Sequence, residues 1–185
     1  MGFCATLLKV CGWKVVVSTP DYPKSIICVA PHTSNWDFII GELAIRAVGR
    51  KSGFLMKSSW FFFPLGGLLK SMGGIPVRRN KNCSLVNTII DLFKQREKMT
   101  LAVTPEGTRK KNSEWKTGFL RIVYGAKVPL QLATLDFSKK LITLTDVFEP
   151  TYDLNTDMQR IKEFYKDVKG YHPERFSVDE QKISK

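Results

Sequence analysis

Residues 25–48, SIICVAPHTSNWDFIIGELAIRAV, place a strand directly before a helix. The apolar, β-branched run at 25–30 predicts a buried strand, and the helical period of 35–48 predicts a helix that ends near Gly49. His32 and Asp37 fall at the junction between these two elements. Because α/β folds place their chemistry beyond the carboxyl ends of strands, this junction is a candidate active-site edge.

The rest of the chain repeats this alternation of β-branched runs with segments of helical period. Further strands are predicted at 53–56, 100–103, 128–136 and 141–147, the last two joined by a turn at 138–140. Further helices are predicted at 82–97, 118–125 and 154–168, the last of them capped by Gly170. We therefore predict an α/β fold: a mixed, mostly parallel β-sheet flanked by helices, with the active site at the carboxyl ends of strands.

Length and composition favour one folded domain over residues 1–185. A chain of 185 residues with 43% hydrophobic content suits a single core, and no internal repeat or low-complexity linker divides it. Residues 1–17 form an apolar segment that Lys9 and Lys14 interrupt, so we do not expect a spanning helix, which needs about 20 apolar residues. This segment also lacks the features of a signal peptide. Residues 171–185 form a polar tail that we expect to fray.

The formal net charge of +12 is high for a chain of this length. Such an excess of cations favours binding to polyanions: nucleic acid, an anionic bilayer or an acidic carrier protein. Salt screens all three interactions, so charge alone does not choose between them. Because no recognised nucleic-acid-binding motif is visible, we do not expect a nucleic-acid partner. A basic nucleic-acid- or lipid-binding module without catalysis stays open as an alternative from another class.

The cysteines and histidines do not form a metal-binding pattern. The four cysteines are scattered without CxxC spacing in apolar surroundings, which indicates reduced, mostly buried thiols in a cytosolic protein. The only histidines are His32 and His172, and neither has a cysteine nearby in sequence to complete a zinc site. We therefore expect no metal, and we expect His172 to be solvated and without a role.

His32 and Asp37 have the spacing of a general base and its orienting group. If the helix begins near Asn35, the carboxylate in its first turn can reach back to the imidazole, fix its tautomer and stabilise the imidazolium. This is the base half of a Ser-His-Asp arrangement without an enzyme nucleophile, so the nucleophile would be a hydroxyl of the substrate. The alternative is structural: Asp37 simply favours the helix N-terminus.

Two further strings place cations beside glycines. In residues 104–109, TPEGTR, Gly107 permits close approach of a ligand, while Arg109 can bind a phosphate. Glu106 can hold an acceptor hydroxyl or an arginine; the alternative is a simple Glu106–Arg109 pair across a turn. In residues 73–79, GGIPVRR, a short apolar strand delivers two arginines whose planar guanidinium groups suit phosphate. The alternative there is a solvated basic turn.

Residues 60–69, WFFFPLGGLL, carry no charge and are too short to cross a bilayer. Four consecutive aromatic side chains followed by Pro64 can seat in a membrane interface or roof an acyl pocket. Burial in the core is the equally weighted alternative.

Taken in order, these strings resemble the glycerolipid acyltransferases, specifically the 1-acyl-glycerol-3-phosphate (lysophosphatidic acid) acyltransferase family. His32 and Asp37 match the H-x4-D motif, Arg79 stands where the second motif ends in arginine, residues 105–109 match the third and residues 128–130, VPL, match the fourth. Lys57, Pro64 and Gly66 also fall where such sequences carry a lysine, a proline and a glycine. H-x4-D alone is a weak signal, but four motifs in this order over residues 25–135 are specific.

The resemblance implies transfer of an acyl group from acyl-CoA or an acidic acyl carrier protein to a lyso-lipid hydroxyl, without an acyl-enzyme or a cofactor. His32 would be the general base and Asp37 its partner. The residues implied in substrate binding are Arg79, Glu106, Gly107, Thr108, Arg109, Lys57 and Arg78. The preferred acceptor is 1-acyl-sn-glycerol-3-phosphate; a lyso-lipid without a phosphate, such as an amino-acid lipid, is the alternative.

Two departures from the family pattern bear on this assignment. Arg78 stands beside Arg79 where many relatives have an acidic or neutral residue, which suits a more anionic head group. The N-terminal membrane segment of many relatives is not recognisable in residues 1–17. We therefore expect a cytoplasmic protein that is peripheral on the inner face of the cell membrane, bound through residues 1–17, residues 60–69 and its positive field.

Overall fold

In the computed structural model, which describes residues 2–77 and 84–178, the chain folds into a seven-stranded sheet with helices on both faces. The strands are β1 (Lys14–Val17), β2 (Lys24–Ala30), β3 (Gly53–Lys57), β4 (Gly74–Val77), β5 (Met99–Val103), β6 (Leu130–Asp136) and β7 (Leu141–Phe148). The helices are α1 (Phe3–Val10), α2 (Asn35–Ala47), α3 (Leu65–Ser71), α4 (Leu85–Gln95), α5 (Gly118–Ala126) and α6 (Leu154–Tyr165).

The strand order β1-β7-β6-β2-β5-β3-β4 brings the sequence motifs to one edge. β2 pairs in parallel with both β5 and β6, and β3 pairs in parallel with both β5 and β4. β7 is antiparallel to β6, and β1 runs parallel to β7. Because β2, β5, β3 and β4 point in one direction, the residues that follow each of them meet at the same edge of the sheet.

The pleat of β2 shows how the two faces are covered. Ile26 and Cys28 are buried in the larger core, which includes apolar side chains of α4, α5 and α6. Because successive side chains of a strand point to opposite faces, Ile27 packs on the other face, with Ala133 and Leu144. On that second face α2 packs against α1, and Ala44 and Leu8 join a further cluster. We call the two sides the α2 face and the α4 face.

This architecture confirms the predicted α/β fold with a mixed, mostly parallel sheet. The predicted strands and helices are present with ends that shift by a few residues, which is the usual uncertainty of helix and strand termini. The largest shift concerns the last helix, which ends at Tyr165 and not at Val168. The predicted start of the fourth helix at Asn82 lies outside the described residues.

Residues 3–10 and 14–17 of the apolar N-terminal segment form α1 and the edge strand β1. Two expectations about exposure are wrong. Cys28 is buried, but Cys11 is exposed, so the thiols are not uniformly buried. Residues 171–178 do not fray: Phe176 and Val178 pack against the core.

The aromatic run is exposed, not buried. Phe63 is 96% exposed, and Trp60, Phe62 and Leu68 are each more than half exposed. Their neighbour Phe61 is only partly exposed, and Gly66 packs against its backbone. The segment therefore presents aromatic side chains to its surroundings while one of its rings anchors it to the sheet.

Candidate active site

The junction between β2 and α2 is held by a capping box. Ser34 is the N-cap of α2, and its Oγ accepts a hydrogen bond from the Trp36 backbone N–H at 3.2 Å. Asp37 Oδ2 accepts from the backbone N–H groups of Thr33 at 2.5 Å and Ser34 at 2.7 Å. The short polar side chains of the sequence HTSNWD therefore satisfy the first donors of the helix and fix the path of the loop before it.

His32 and Asp37 lie side by side at this junction. The distance from His32 Nδ1 to Asp37 Oδ2 is 3.3 Å, with the Asp37 side chain only 3% exposed and that of His32 21% exposed. A carboxylate against Nδ1 leaves Nε2 as the nitrogen free to take a proton. Asp37 thus does what both interpretations require: it caps the helix and it orients the imidazole.

Glu106, at the turn after β5, is packed behind His32. Its side chain is buried, and Oε1 accepts a hydrogen bond from the His32 backbone N–H at 2.8 Å. Burial raises the pKa of Glu106 to about 7, the His32 N–H and the imidazole opposing this rise and Asp37 adding to it. The other oxygen, Oε2, is buried without a hydrogen-bond partner among the described residues. The two motifs are therefore joined directly through this carboxyl group.

The loop after β5 is braced by backbone and side-chain hydrogen bonds among its own residues. Gly107 adopts a left-handed conformation with φ of 66°, and a Cβ there would lie 3.1 Å from Lys116 Cγ. Asn112 donates to the carbonyl oxygens of Glu106 and Glu114, each at 2.9 Å. Lys116 donates its backbone N–H to Pro105 O at 2.7 Å. This loop holds Arg109 and Lys116 at the site.

The alternative for this loop, a simple Glu106–Arg109 pair, does not form. Arg109 Nη1 instead donates to Asn35 Oδ1 at the start of α2. Arg109 is exposed, and its guanidinium group makes no other hydrogen bond with the described residues. Thr108 makes only a local contact in which its Oγ1 accepts from the Lys110 backbone N–H at 3.2 Å.

The chain after α6 supports the same junction from behind. Thr33 Oγ1 accepts a hydrogen bond from the His172 backbone N–H at 3.1 Å. Gly170 is buried so closely against the loop that a Cβ would lie 2.8 Å from Thr33 Oγ1 and 3.0 Å from Pro31 Cβ. The His172 side chain lies 3.4 Å from Glu174 and takes no part in the His32–Asp37 contact.

His32 and Asp37 border a cavity of about 960 Å³. Polar residues of its lining include Asn35, Arg109 and Lys116. Much of the remaining lining is apolar and comes from α2 and the α2 face of the sheet, with further residues from α4 and α5. Examples of the apolar lining are Ile27, Val29, Phe38, Ile45, Ala133 and Leu144. The volume and the apolar walls suit a long hydrocarbon chain better than a polar ligand.

The other predicted site residues differ in position. Lys57 is exposed at the carboxyl end of β3, opposite Val77 of β4, and does not line the cavity. Arg78 and Arg79 lie outside the described residues. Glu106 does not line the cavity either, so its implied role in substrate binding rests on the family resemblance alone.

Sequence reasoning missed Thr33, Asn35 and Asn112, which fix the two loops. Asn35 and Thr33 lie inside the H-x4-D string, so their position was a signal that we did not use. No sequence signal pointed to Asn112, because an asparagine in a polar loop is ordinary.

Among the described residues no group of three or more His, Cys, Asp or Glu side chains is arranged to hold a metal ion. Within the same residues, no helix has the length and apolar character needed to span a bilayer.

A His–Asp pair in the lining of a largely apolar cavity, at the carboxyl ends of parallel strands, is an arrangement typical of the class of α/β enzymes. The sequence places the chain within that class: residues 14–133 match the acyltransferase family model, and the protein belongs to that family. The family resemblance seen in the motifs is thereby confirmed.

The fold is also similar to a solved structure, the 1-acyl-sn-glycerophosphate (LPA) acyltransferase PlsC from Thermotoga maritima. The two chains share 17% identity with a TM-score of 0.57, and the match covers 89% of this chain and 76% of the other. At this identity the likeness concerns the fold. A comparison with curated protein sequences gives no significant match.

Proposed function

We propose that this protein is an O-acyltransferase that moves a fatty acyl group from an acyl thioester to the free hydroxyl of a lyso-lipid. The donor is acyl-CoA or an acyl carrier protein, and the acceptor is 1-acyl-sn-glycerol-3-phosphate, which becomes phosphatidic acid. The observation that carries this proposal is the His32–Asp37 pair in the lining of a largely apolar cavity of about 960 Å³.

In this mechanism His32 is the general base. As the acceptor hydroxyl attacks the thioester carbonyl, Nε2 takes its proton and Asp37 stabilises the imidazolium through Nδ1. The tetrahedral intermediate then collapses, the C–S bond breaks, and the imidazolium returns the proton to the departing sulfur. A thioester is already an activated donor, so no enzyme nucleophile is needed. Burial raises the pKa of the nearby Cys28 thiol far above its usual range, which keeps it protonated and unsuited to that role.

The acceptor phosphate binds beside the base in this proposal. Arg109 and Lys116 both line the cavity next to His32. Lys57 stands at the same edge of the sheet, and Arg78 and Arg79 follow the neighbouring strand in the sequence. A guanidinium group pairs two of its N–H donors with two phosphate oxygens, which also fixes the orientation of the glycerol hydroxyl.

The first experiment follows thiol release from acyl-CoA and from acylated carrier protein with a panel of lyso-lipids. We expect turnover by the wild type and a loss of about 10²- to 10⁴-fold in kcat for His32→Ala, since that is the usual contribution of a positioned base. His172→Ala is the matched control because its side chain lies outside the His32–Asp37 contact. Undiminished turnover in His32→Ala, or equal losses in both variants, would contradict the mechanism.

A second experiment tests the head group. Loss of a charge-assisted contact costs about 1.5–3 kcal/mol, or roughly 10- to 100-fold. We therefore expect Arg109→Ala to raise KM for the phosphate acceptor by that factor. Arg121→Ala, an exposed arginine of α5 that does not line the cavity, is the control. If Arg109→Ala leaves this KM unchanged while a neutral lyso-lipid is the better acceptor, the protein acylates a lyso-lipid without a phosphate.

A further inference from the structure

Exposed apolar side chains are concentrated on one side of the molecule. Among the described residues, eleven of the fifteen exposed large hydrophobic side chains belong to α1, to α2 with its C-cap Val48, or to the segment 58–71. They are Phe3, Leu7, Val10, Trp36, Phe38, Ile39, Val48, Trp60, Phe62, Phe63 and Leu68. The helices of the opposite side, α4, α5 and α6, contribute none.

These side chains lie on the α2 face of the sheet. Phe38 of α2 contacts Phe54 of β3 edge to face, with 4.9 Å between the ring centroids. Gly74, the register partner of Phe54 on β4, faces Leu69 of α3 and the ring of Phe61. The segment 58–71 therefore covers the same face as α2, beside it. We call the exposed parts of α1, α2 and residues 58–71 the apolar layer.

The charges around the apolar layer are mainly positive. Lys9, Lys51, Lys57 and Lys70 are exposed there. The acidic residues of the same elements are already engaged: Asp37 is buried in the site and Glu42 pairs with Arg46 at 2.6 Å. An exposed apolar surface ringed by lysines complements a surface of hydrocarbon and negative head groups.

The cavity is lined in part by the apolar layer, since Phe38, Ile39 and Val48 belong to both. Asn35, which lines the cavity, begins α2, and the next residue, Trp36, is 52% exposed. Trp60 ends the 3-10 turn that directly follows the carboxyl end of β3, the edge at which His32 lies. Aromatic side chains of the apolar layer therefore lie next to residues of the site in the chain and at the same edge of the sheet.

We propose that the apolar layer docks onto an anionic bilayer, with Trp60, Phe62 and Phe63 seated at the level of the head groups and the cavity mouth facing the lipid. Tryptophan and phenylalanine are residues that favour this interface. The proposal rests on the proposed function in one respect: it supplies the lyso-lipid directly from the membrane to His32. Vesicle binding itself does not depend on catalysis.

The test is sedimentation of the purified full chain with vesicles of phosphatidylcholine alone or mixed with phosphatidylglycerol. We expect binding to the mixed vesicles, reduced by salt, and a blue shift of tryptophan emission on binding. The double variant Phe62→Ser, Phe63→Ser should lose about tenfold or more in its partition coefficient, since two apolar side chains no longer leave water.

The matched control is Val147→Ser, Tyr152→Ser, which removes two exposed apolar side chains near the end of β7. This end lies beside the start of β6, away from the carboxyl ends of the parallel strands where His32 lies. This variant should bind as the wild type does. His32→Ala should also bind normally while losing turnover, so failure of docking and failure of the acyltransferase proposal are separate results.

Three results would overturn the proposal. Wild-type protein that does not sediment with anionic vesicles excludes docking. Equal losses in the two double variants show a non-specific effect of surface hydrophobicity. A wild type that self-associates in solution, and becomes monomeric only in Phe62→Ser, Phe63→Ser without binding vesicles, shows that a second copy covers the layer.

Discussion

At the scale of single residues, Asp37 shows why a catalytic and a structural interpretation need not compete. One oxygen lies 3.3 Å from the imidazole and also accepts two backbone N–H groups at the start of α2. The spacing H-x4-D predicts both roles, because a residue in the first helical turn reaches back to the preceding loop. What the sequence did not show is that Asp37 Oδ1 is buried without a described hydrogen-bond partner.

Glu106 gives a prediction that is independent of activity. Burial raises its pKa to about 7, whereas in the unfolded chain the carboxyl group has its ordinary pKa of 4.5. Between these two values the folded protein binds more protons than the unfolded one, so this group makes the free energy of unfolding fall as pH rises, and the fall ends above about pH 7. The shift corresponds to about 3 kcal/mol.

Glu106→Gln should remove this part of the pH dependence. Urea unfolding of both proteins at pH 5 and pH 8 measures it: the variant should gain stability relative to the wild type on going from pH 5 to pH 8. Glu114→Gln, an exposed carboxyl on the same loop, makes the same change in net charge and should follow the wild type. If Glu106→Gln shows the wild-type slope, the carboxyl does not titrate with a raised pKa.

At the scale of elements, the segment after α6 acts as a brace for the catalytic loop. Lys169 O accepts from the Phe137 backbone N–H at 2.8 Å, and His172 N–H reaches Thr33. Trp115 Nε1 donates to Ser177 O at 3.1 Å, and this bond holds the C-terminal end of the same segment. The sequence predicted a frayed tail because its polar residues have no periodicity; the packing depends on contacts with residues distant in the chain, which no local pattern records.

Gly170→Ala tests this brace. The added methyl would lie 2.8 Å from Thr33 Oγ1, so either the loop or the segment must move. We expect a loss of about 1–3 kcal/mol in stability, the usual range for overpacking. If the brace positions His32, kcat measured at temperatures well below the melting temperature should also fall, with little change in KM.

Gly67→Ala is the control for Gly170→Ala. Gly67 lies in α3 with nothing within 4 Å of an added Cβ, so alanine should be neutral or stabilising by up to about 1 kcal/mol. Thermal melts and initial rates on both variants separate the two effects. A Gly170→Ala protein that is destabilised but keeps its full kcat would show that the segment stabilises the fold without positioning the loop.

At the scale of the whole molecule, local patterns predicted a mixed, mostly parallel sheet but not the order of its strands. The βαβ units around the H-x4-D and PEGTR strings follow from alternation and from the rule that parallel strands share a functional edge. The direct contact of Glu106 with His32 follows from the adjacency of β2 and β5, which strand patterns alone do not give. No sequence pattern predicted the cavity, since its walls combine residues of several strands with residues of α2, α4 and α5.

The cavity makes a prediction about acyl chain length. Gly41 of α2 lines it, and no heavy atom lies within 4 Å of a Cβ built at that position. A larger side chain there has room to enter the apolar space without displacing the fold. We therefore expect Gly41→Leu to lower kcat/KM for long acyl donors by about tenfold or more while sparing short ones, because the lost volume excludes terminal methylene groups whose burial contributes about 0.8 kcal/mol each.

The control is Gly67→Leu, at a residue that does not line the cavity, and it should keep the wild-type preference for chain length. Rates measured over a series of acyl-CoA chain lengths decide the matter: an unchanged preference in Gly41→Leu means that the acyl chain binds elsewhere and that this cavity is not its site.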